Sequence, residues 1–313
     1  MQPTPVLFDT DISGDVDDAV ALTLLLSAPE RLRVVAITTV SGDTRARAWG
    51  AGRLLAEAGR SEIDLCAGVA QPLVRRREYP IDMESYGDGP AVAISAEPAP
   101  ERIVRAAREE PGLELVFVGP LTNLAHALAL DPKLPKRVAR LTIMGGHIRR
   151  VAIGEKVVPP GIDYNLCSDP ESAVMVLGAG FNTRLVTADV TLQVWMTEAQ
   201  RAAFAASPRA VPRILARLIS RWTPRQIELF TGMGGTLAPD NAAFLHDPLT
   251  VLSLVDESTL GFERLHIVPT IQRGVLRTIE VPPALALGAE IECAMRVDAV
   301  RARDEIVARV LRL

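Results

Sequence analysis

The chain has 313 residues, enough for one large α/β domain or two ordinary ones, and its formal net charge of −4 argues against a nucleic-acid backbone as its main partner. Hydrophobic residues make up 48% of the sequence and charged residues 23%, without low-complexity tracts, so we expect no long disordered segment. No stretch approaches the roughly 18 to 20 apolar residues of a membrane-spanning helix, so we expect no membrane partner either.

The amino terminus and the cysteines both bear on the compartment. Residues 1–5 lack the basic and apolar regions of an export signal. Cys66, Cys167 and Cys293 are odd in number and far apart, which is typical of reduced thiols rather than of a disulfide frame or a zinc site. We therefore predict a cytoplasmic protein.

Predicted strands and helices alternate along the first two thirds of the chain. In order, the pattern gives strand 6–8, helix 17–27, strand 34–40, helix 44–58, strand 115–118, helix 121–130, strand 141–144, helix 170–177 and strand 183–187. This alternation predicts an α/β fold with a mostly parallel sheet and helices on both faces. Ligand sites in such folds lie beyond the carboxyl ends of the strands.

The last third of the chain has a different pattern. Residues 197–230 are helical in character and interrupted by Pro208, Pro212 and Pro224, and a Gly-rich loop follows at 232–239. We interpret 197–240 as a small helical cap or lid on a single domain that spans 1–313. A late strand at 261–270 and a closing helix at 297–313 complete the prediction.

The most informative segment is an acidic turn directly after the first strand. It places five carboxylates within ten residues: Asp9, Asp11, Asp15, Asp17 and Asp18. Such a density repels itself unless a positive charge is present, and carboxylate oxygens are ligands that suit calcium or magnesium. Capping of the next helix explains one or two of these acids, but not five.

Two other motifs overlap this turn. An EF-hand loop is rejected, because a strand precedes the turn and Val20 stands where the closing bidentate Glu would be. The strand followed by Asp9-Thr10-Asp11 is similar to the nucleophile motif of haloacid dehalogenase-like phosphohydrolases, in which the first Asp attacks phosphorus. That alternative requires a later Lys and acidic pair, which are not evident in the sequence.

The order of several short motifs resembles the inosine-uridine nucleoside hydrolase family over nearly the whole chain. The family opens with Asp-x-Asp-Pro-Gly-x-Asp-Asp-Ala, and Asp9-Thr10-Asp11 and Asp17-Asp18-Ala19 fit this pattern with two extra residues between them. The later motifs are Ile37-Thr38-Thr39-Val40-Ser41-Gly42, Val118-Gly119-Pro120-Leu121-Thr122-Asn123, Met144-Gly145-Gly146, Tyr164-Asn165 with Asp169-Pro170-Glu171, and His246-Asp247-Pro248.

This resemblance implies calcium-dependent hydrolysis of the N-glycosidic bond of a ribonucleoside, which gives ribose and a free base. The implied calcium ligands are Asp11, Asp18, the backbone carbonyl of Thr122, and Asp247. Helix capping is the local alternative for Thr122 and Asp247, and it is compatible with ligation for Thr122.

The resemblance also assigns chemical roles. It gives Asp11 the role of general base toward water. His246 is expected to assist the leaving base as an acid because it stands beside Asp247 and because histidine donates protons near neutral pH, and the alternative is that it only packs there and orients Asp247. The implied ribose ligands are Asp17, Asp43, Asp163 and Asn165, while Asp9 braces the turn. A homodimer or homotetramer is the implied assembly.

Several departures from the family pattern surround the sugar rather than the metal. Asp43 stands where the family commonly has Asn, Asp163 where it commonly has Glu, and Tyr86-Gly87 near a common His. Glu155 follows Gly154 where the family has Gly-Asn. Base preference therefore stays open, with Trp222 and Phe230 as aromatic candidates for a base contact. A nonenzymatic riboside-binding protein on this fold is a further alternative.

Overall fold

A nine-stranded sheet forms the centre of the computed structural model, which describes residues 2–74, 81–153, 156–161 and 163–313. The strands are β1 Thr4–Thr10, β2 Leu32–Thr39, β3 Asp64–Ala67, β4 Glu114–Phe117, β5 Arg140–Met144, β6 Val151–Ile153, β7 Lys156–Val158, β8 Thr183–Val186, β9 Trp195–Thr197, β10 Asn241–Phe244, β11 Leu260–Gln272, β12 Val275–Val281 and β13 Ala289–Val297. The helices are α1 Asp17–Leu26, α2 Thr44–Glu57, α3 Ala99–Glu109, α4 Thr122–Leu130, α5 Tyr164–Ser168, α6 Pro170–Leu177, α7 Ala188–Thr191, α8 Glu198–Ala205, α9 Ala210–Gly232, α10 His246–Val255 and α11 Ala299–Val310.

The sheet is mostly parallel, as the sequence predicts. Its strand order is β12-β11-β13-β8-β5-β4-β1-β2-β3. Every neighbouring pair from β13 to β3 is parallel, whereas β11 pairs antiparallel with both β12 and β13. The sequence prediction missed β3, α3, β12 and β13. The closing helix begins at Ala299 because residues up to Val297 belong to β13.

Helices cover both faces of the sheet. Alternate residues of a strand point to opposite faces, and in β1 the side chains of Val6 and Phe8 join one hydrophobic core while Leu7 joins another. The first core includes apolar residues of α1, α2, α9, α10 and α11, and the second includes those of α3, α4 and α6. The sheet is therefore buried on both sides, as expected for parallel strands joined by helices.

Two of the three prolines that were expected to interrupt the helices of the predicted cap lie inside a helix. Pro208 lies between α8 and α9, but Pro212 and Pro224 lie within the 23-residue helix α9. Pro212 is in the first turn, where a missing N–H breaks no helical hydrogen bond. Near Pro224, Thr223 Oγ1 donates to the carbonyls of Ile219 and Ala242.

None of the helices in the described ranges is long and apolar enough to cross a bilayer.

The carboxyl ends of β1, β2, β4 and β5 lie along one edge of the sheet. From β1 the chain adds β2 and β3 on one side and then β4 and β5 on the other, so the strand order reverses beside β1. This reversal opens a crevice where ligands bind in parallel α/β sheets. Asp11 follows β1 and Gly119 follows β4, so both lie at this crevice.

Candidate functional site

The acidic turn folds into a buried loop between β1 and α1. Asp11, Asp17 and Asp18 are each less than 10% exposed, and Asp17 and Asp18 form the first turn of α1. The residue that caps this helix is Val16, which makes no side-chain capping bond. Asp15 serves the helix start instead, since its Oδ1 accepts from Val16 N at 2.5 Å and from Asp17 N at 3.4 Å, while the charges of Asp17 and Asp18 face the positive end of the helix dipole. Helix capping therefore explains one of the five acids and not the whole group.

Three carboxylates from opposite ends of the chain meet in this loop. Asp17, Asp18 and Asp247 each offer an oxygen, and these atoms lie within 4.8 Å of one another in a buried position. Oδ2 of Asp17 also accepts a hydrogen bond from the backbone N–H of Asp247 at 3.2 Å. Oxygen donors grouped in this way fit a hard divalent cation.

The grouping agrees only in part with the ligand set that the resemblance implies. Asp18 and Asp247 are brought together as expected, but the third member is Asp17 rather than Asp11. Asp11 is nevertheless close, since its charge raises the pKa values of Asp17, Asp18 and Asp247. A Cβ at Gly119 would lie 2.9 Å from Oδ1 of Asp11, so the end of β4 closes directly over this carboxylate.

The electrostatics of the group call for positive charge. Burial raises the pKa values of Asp17, Asp18 and Asp247 well above their usual range, and the neighbouring carboxylates raise them further. Burial also raises the pKa of Asp11, which the guanidinium of Arg47 partly opposes. A bound divalent cation would reverse this cost, because it favours the ionised form of every carboxylate around it.

Asp9 is a buried connector at the end of β1. Its Oδ2 accepts hydrogen bonds from Thr38 Oγ1 at 2.6 Å and Asn123 Nδ2 at 2.7 Å, which joins β1 to β2 and α4. Oδ1 is buried without a partner among the described residues, and burial raises the pKa of this carboxyl to about 7. A fully buried carboxylate engaged in this way does not favour the phosphohydrolase alternative, which needs Asp9 as an accessible nucleophile.

Thr122 and Asp247 occupy helix starts without capping them. Thr122 is the first residue of α4, and its Oγ1 donates to Oδ2 of Asp169 at 2.7 Å. Asp247 is the second residue of α10, which begins at His246 after Leu245. Neither side chain therefore caps its helix. The hydroxyl of Thr122 donates to Asp169, and the carboxylate of Asp247 belongs to the acidic group.

The predicted sugar ligands divide into two sets. Asn165 is buried and donates to the carbonyl of Val118 at 2.8 Å, and Asp163 is a buried N-cap that accepts from Leu166 N at 2.9 Å. Asp163 Oδ1 lies close to Gly145, so both residues belong to the crevice. Asp43 is instead an exposed N-cap of α2 that accepts from Ala46 N, and the structure does not bring it into the buried acidic group.

His246 has an aromatic environment. Its Nδ1 lies 2.8 Å from Thr191 Oγ1, and its ring stacks on Phe244 with 5.1 Å between the ring centroids. Phe244 in turn packs against Phe230 of α9, with 4.9 Å between the ring centroids. Burial lowers the pKa of His246 to about 4, which favours the neutral ring near pH 7.

Arg47 of α2 is among the residues that contact the loop and that the sequence prediction missed. This side chain is 1% exposed, and it donates to the carbonyls of Asp11, Ile12 and Ser41. In the sequence it is one of several arginines in a helix of small residues, so no local signal distinguishes it. Glu155, one of the departures from the family pattern, lies outside the described residues.

The family model described as inosine-uridine preferring nucleoside hydrolase matches residues 6–304 of this chain. A pyrimidine-specific ribonucleoside hydrolase, RihA of Citrobacter koseri, is 33% identical over 263 residues, which cover 80% of this chain and 79% of the relative. A probable uridine nucleosidase 2 of Arabidopsis thaliana is 30% identical and covers 79% of this chain and 76% of its own length. Among solved structures, the plant nucleoside hydrolase PpNRh1 superimposes with a TM-score of 0.83 at 26% identity and covers 99% of both chains.

Proposed function

Because the chain belongs to the inosine-uridine preferring nucleoside hydrolase family, it is an N-glycosyl hydrolase of nucleosides, and we propose that it cleaves ribonucleosides in a calcium-dependent reaction. The products are ribose and a free base. The observation that carries this proposal is the buried meeting of Asp17, Asp18 and Asp247 at the crevice.

Calcium is the cation that we propose for this group. Asp18 and Asp247 would hold it, together with Asp11 and the backbone carbonyl of Thr122, and all of these are the oxygen donors that calcium prefers. The three buried carboxylate oxygens that meet there and the raised pKa values of Asp17, Asp18 and Asp247 support a cation at this place. When bound, calcium supplies positive charge that holds hydroxyl oxygens and acidifies water.

The residues around the group fit the demands of glycosidic cleavage. Positive charge develops on the ribose in the transition state, so carboxylates on both sides of the sugar lower its energy. Asp11 would take a proton from the attacking water, and Asp17 would accept a hydrogen bond from a ribose hydroxyl. Asp163 and Asn165 would bind the sugar from the side of β5.

The base is proposed to lie toward His246. The rings of His246 and Phe230, which both pack against the buried Phe244, are the faces that we propose stack on a flat heterocycle. Phe230 belongs to α9, so helices α8 and α9 would form the cap predicted at residues 197–240. The names of the two curated relatives make uridine the first substrate to test.

The proposed setting is salvage of free nucleosides in the cytoplasm by a homodimer or homotetramer. The family resemblance supports the assembly. Light scattering during size-exclusion chromatography measures it directly, and a monomer at all concentrations would contradict it.

The function is tested with a panel of uridine, cytidine, inosine and p-nitrophenyl riboside, in calcium and after chelation. We expect release of free base and ribose in equal amounts, dependent on calcium. Release of phosphate from p-nitrophenyl phosphate would instead support the phosphohydrolase alternative. Binding of every riboside without turnover would support the nonenzymatic alternative.

A further inference from the structure

Arg47 is 1% exposed, the largest of the described side chains that are less than 2% exposed, and it lies beneath the acidic loop. Its Nε donates to Ser41 O at 2.6 Å, while Nη1 donates to the carbonyls of Asp11 and of Ile12, the latter at 2.7 Å. One guanidinium therefore joins the segment after β1 to the segment after β2. These two segments form one wall of the crevice.

The acidic loop needs such support. It contains two more residues than the family pattern, and Ser13 adopts a φ of 81°, a left-handed conformation that side chains other than glycine rarely take. Its other outside contacts include Asp82 N, which donates to Ser13 O at 2.8 Å. One turn along α2 from Arg47, a Cβ at Gly50 would lie 2.7 Å from Ser13 Oγ, so α2 packs closely under the loop.

Two effects of Arg47 on calcium binding oppose each other. As a positive charge beside the group, it repels a cation and so weakens binding. As a donor to three carbonyls, it fixes the backbone that carries Asp11, and groups that orient metal ligands typically contribute 10- to 100-fold to metal affinity. The sign of the net effect therefore distinguishes a positioning residue from a buried counter-charge.

We propose that Arg47 is a positioning residue that holds the acidic loop in its ligand-binding shape, and that this orienting effect outweighs its repulsion of the cation. The calcium part of this inference rests on the proposed function, whereas the loop part does not. Lysine cannot replace it, because an ammonium group carries its donors on one atom and cannot reach all three carbonyls together.

The loop part is tested by hydrogen–deuterium exchange on protein stripped of divalent cations. We expect the peptide covering residues 9–18 to exchange faster in Arg47→Lys and Arg47→Met than in the unmodified protein. Arg53→Met is the matched control, because Arg53 is a buried arginine of the same helix that binds Pro90 O and Glu57. Unchanged exchange of that peptide in both Arg47 variants would overturn the proposal.

The calcium part is tested by titration calorimetry on the same proteins, with circular dichroism as the check on folding. We expect the calcium dissociation constant to rise about 10- to 100-fold in Arg47→Met and Arg47→Lys, and to stay unchanged in Arg53→Met. If Arg47→Met does not fold, the charge-preserving Arg47→Lys decides. Unchanged or tighter calcium binding in a folded Arg47 variant would refute the positioning role. Absence of calcium binding by the unmodified protein would refute the proposed function, and the exchange result would still decide whether Arg47 holds the loop.

Discussion

The backbone N–H of Asp247 donates to Oδ2 of Asp17 at 3.2 Å, although 230 residues separate the two along the chain. This bond attaches the start of α10 to the start of α1. It also orients the Asp17 carboxylate through a main-chain donor, which a side-chain substitution at position 247 leaves in place. The carboxylate of Asp247 can therefore be removed without cutting the bond.

Replacing Asp18→Asn or Asp247→Ala should abolish calcium binding and turnover together while the fold remains intact. Each change removes a charged oxygen ligand that we propose for the cation, and both residues belong to the buried group of carboxylates. Calcium titration and uridine hydrolysis measure the two losses, and Asp298→Asn, at the exposed N-cap of α11, is the control. Full activity of either variant after exhaustive chelation would rule out the calcium mechanism.

The metal-free protein should become less stable as the pH rises from about 5.5 to 8. Burial raises the pKa of Asp9 to about 7 and those of Asp17 and Asp247 well above the usual range. A carboxyl with a raised pKa binds its proton more tightly in the folded state, so its contribution is present at low pH and lost as the pH rises through that pKa. Thermal unfolding measures this trend.

The stabilisation of the protein by calcium should instead increase over the same pH range. The cation binds ionised carboxylates, so its affinity and the rise in melting temperature that it causes should both increase with pH. A calcium-induced shift that shrinks between pH 5.5 and 8 would argue against carboxylate ligands.

Uridine should be hydrolysed faster than 2′-deoxyuridine. The proposed hydrogen bond from a ribose hydroxyl to Asp17 is missing in the deoxy sugar, and an unpaired buried polar group costs about 1 to 3 kcal/mol, or roughly 5- to 150-fold in rate. The ratio of kcat/KM for the two substrates measures this preference for the ribonucleoside. Equal values would remove Asp17 from sugar recognition.

His246 should matter for the leaving base and not for the sugar. We expect His246→Ala to lose about 10²- to 10⁴-fold on uridine but far less on p-nitrophenyl riboside, whose phenolate leaves without a proton. Because burial lowers the pKa of His246 to about 4, the acid role requires that the ring take up a proton when the nucleoside binds, and Thr191 Oγ1, 2.8 Å from Nδ1, would then accept a hydrogen bond from the imidazolium. Thr191→Val should therefore show a weaker loss with the same substrate dependence. Similar losses on both substrates would assign His246 to support of Asp247.

Asp163→Asn separates the structural role of this residue from its proposed role toward the sugar. Asparagine caps helices about as well as aspartate, so the change in the free energy of unfolding should stay below about 1 kcal/mol. The negative charge is lost, so the KM for uridine should rise while the melting temperature remains nearly constant. Unchanged kinetics in this variant would mean that Asp163 caps α5 and does not contribute to sugar binding.

The sequence predicted the central strands and helices well because each carries its own signal. The helix Pro170–Leu177 has matching bounds in prediction and structure, since Asp169 caps it and Pro170 starts it. By contrast, β12 and β13 lie in the antiparallel part of the sheet, and charged residues such as Arg277, Glu280 and Glu292 interrupt their apolar pattern. Such half-exposed strands give a weaker signal than buried parallel ones.

The site was predictable as a set of residues but not as a geometry. The acidic turn and Asp247 could be found from residue type and order. Whether Asp11 or Asp17 faces Asp247 depends on how α1 packs against α10, which no local pattern records. The role of Arg47 could not be predicted from the sequence for a similar reason, because its partners are backbone carbonyls up to 36 residues away.

The bond between Asp17 and Asp247 also sets an order of events during synthesis. At 5 to 20 residues per second, a ribosome needs on the order of ten to fifty seconds to add the residues that separate them. During that time the nascent acidic turn has neither the carboxylate of Asp247 nor its main-chain donor. If Asp247 holds the cation as proposed, hydrolysis begins only after residues near 247 have left the exit tunnel, so a growing chain would not cleave nucleosides while it is being made.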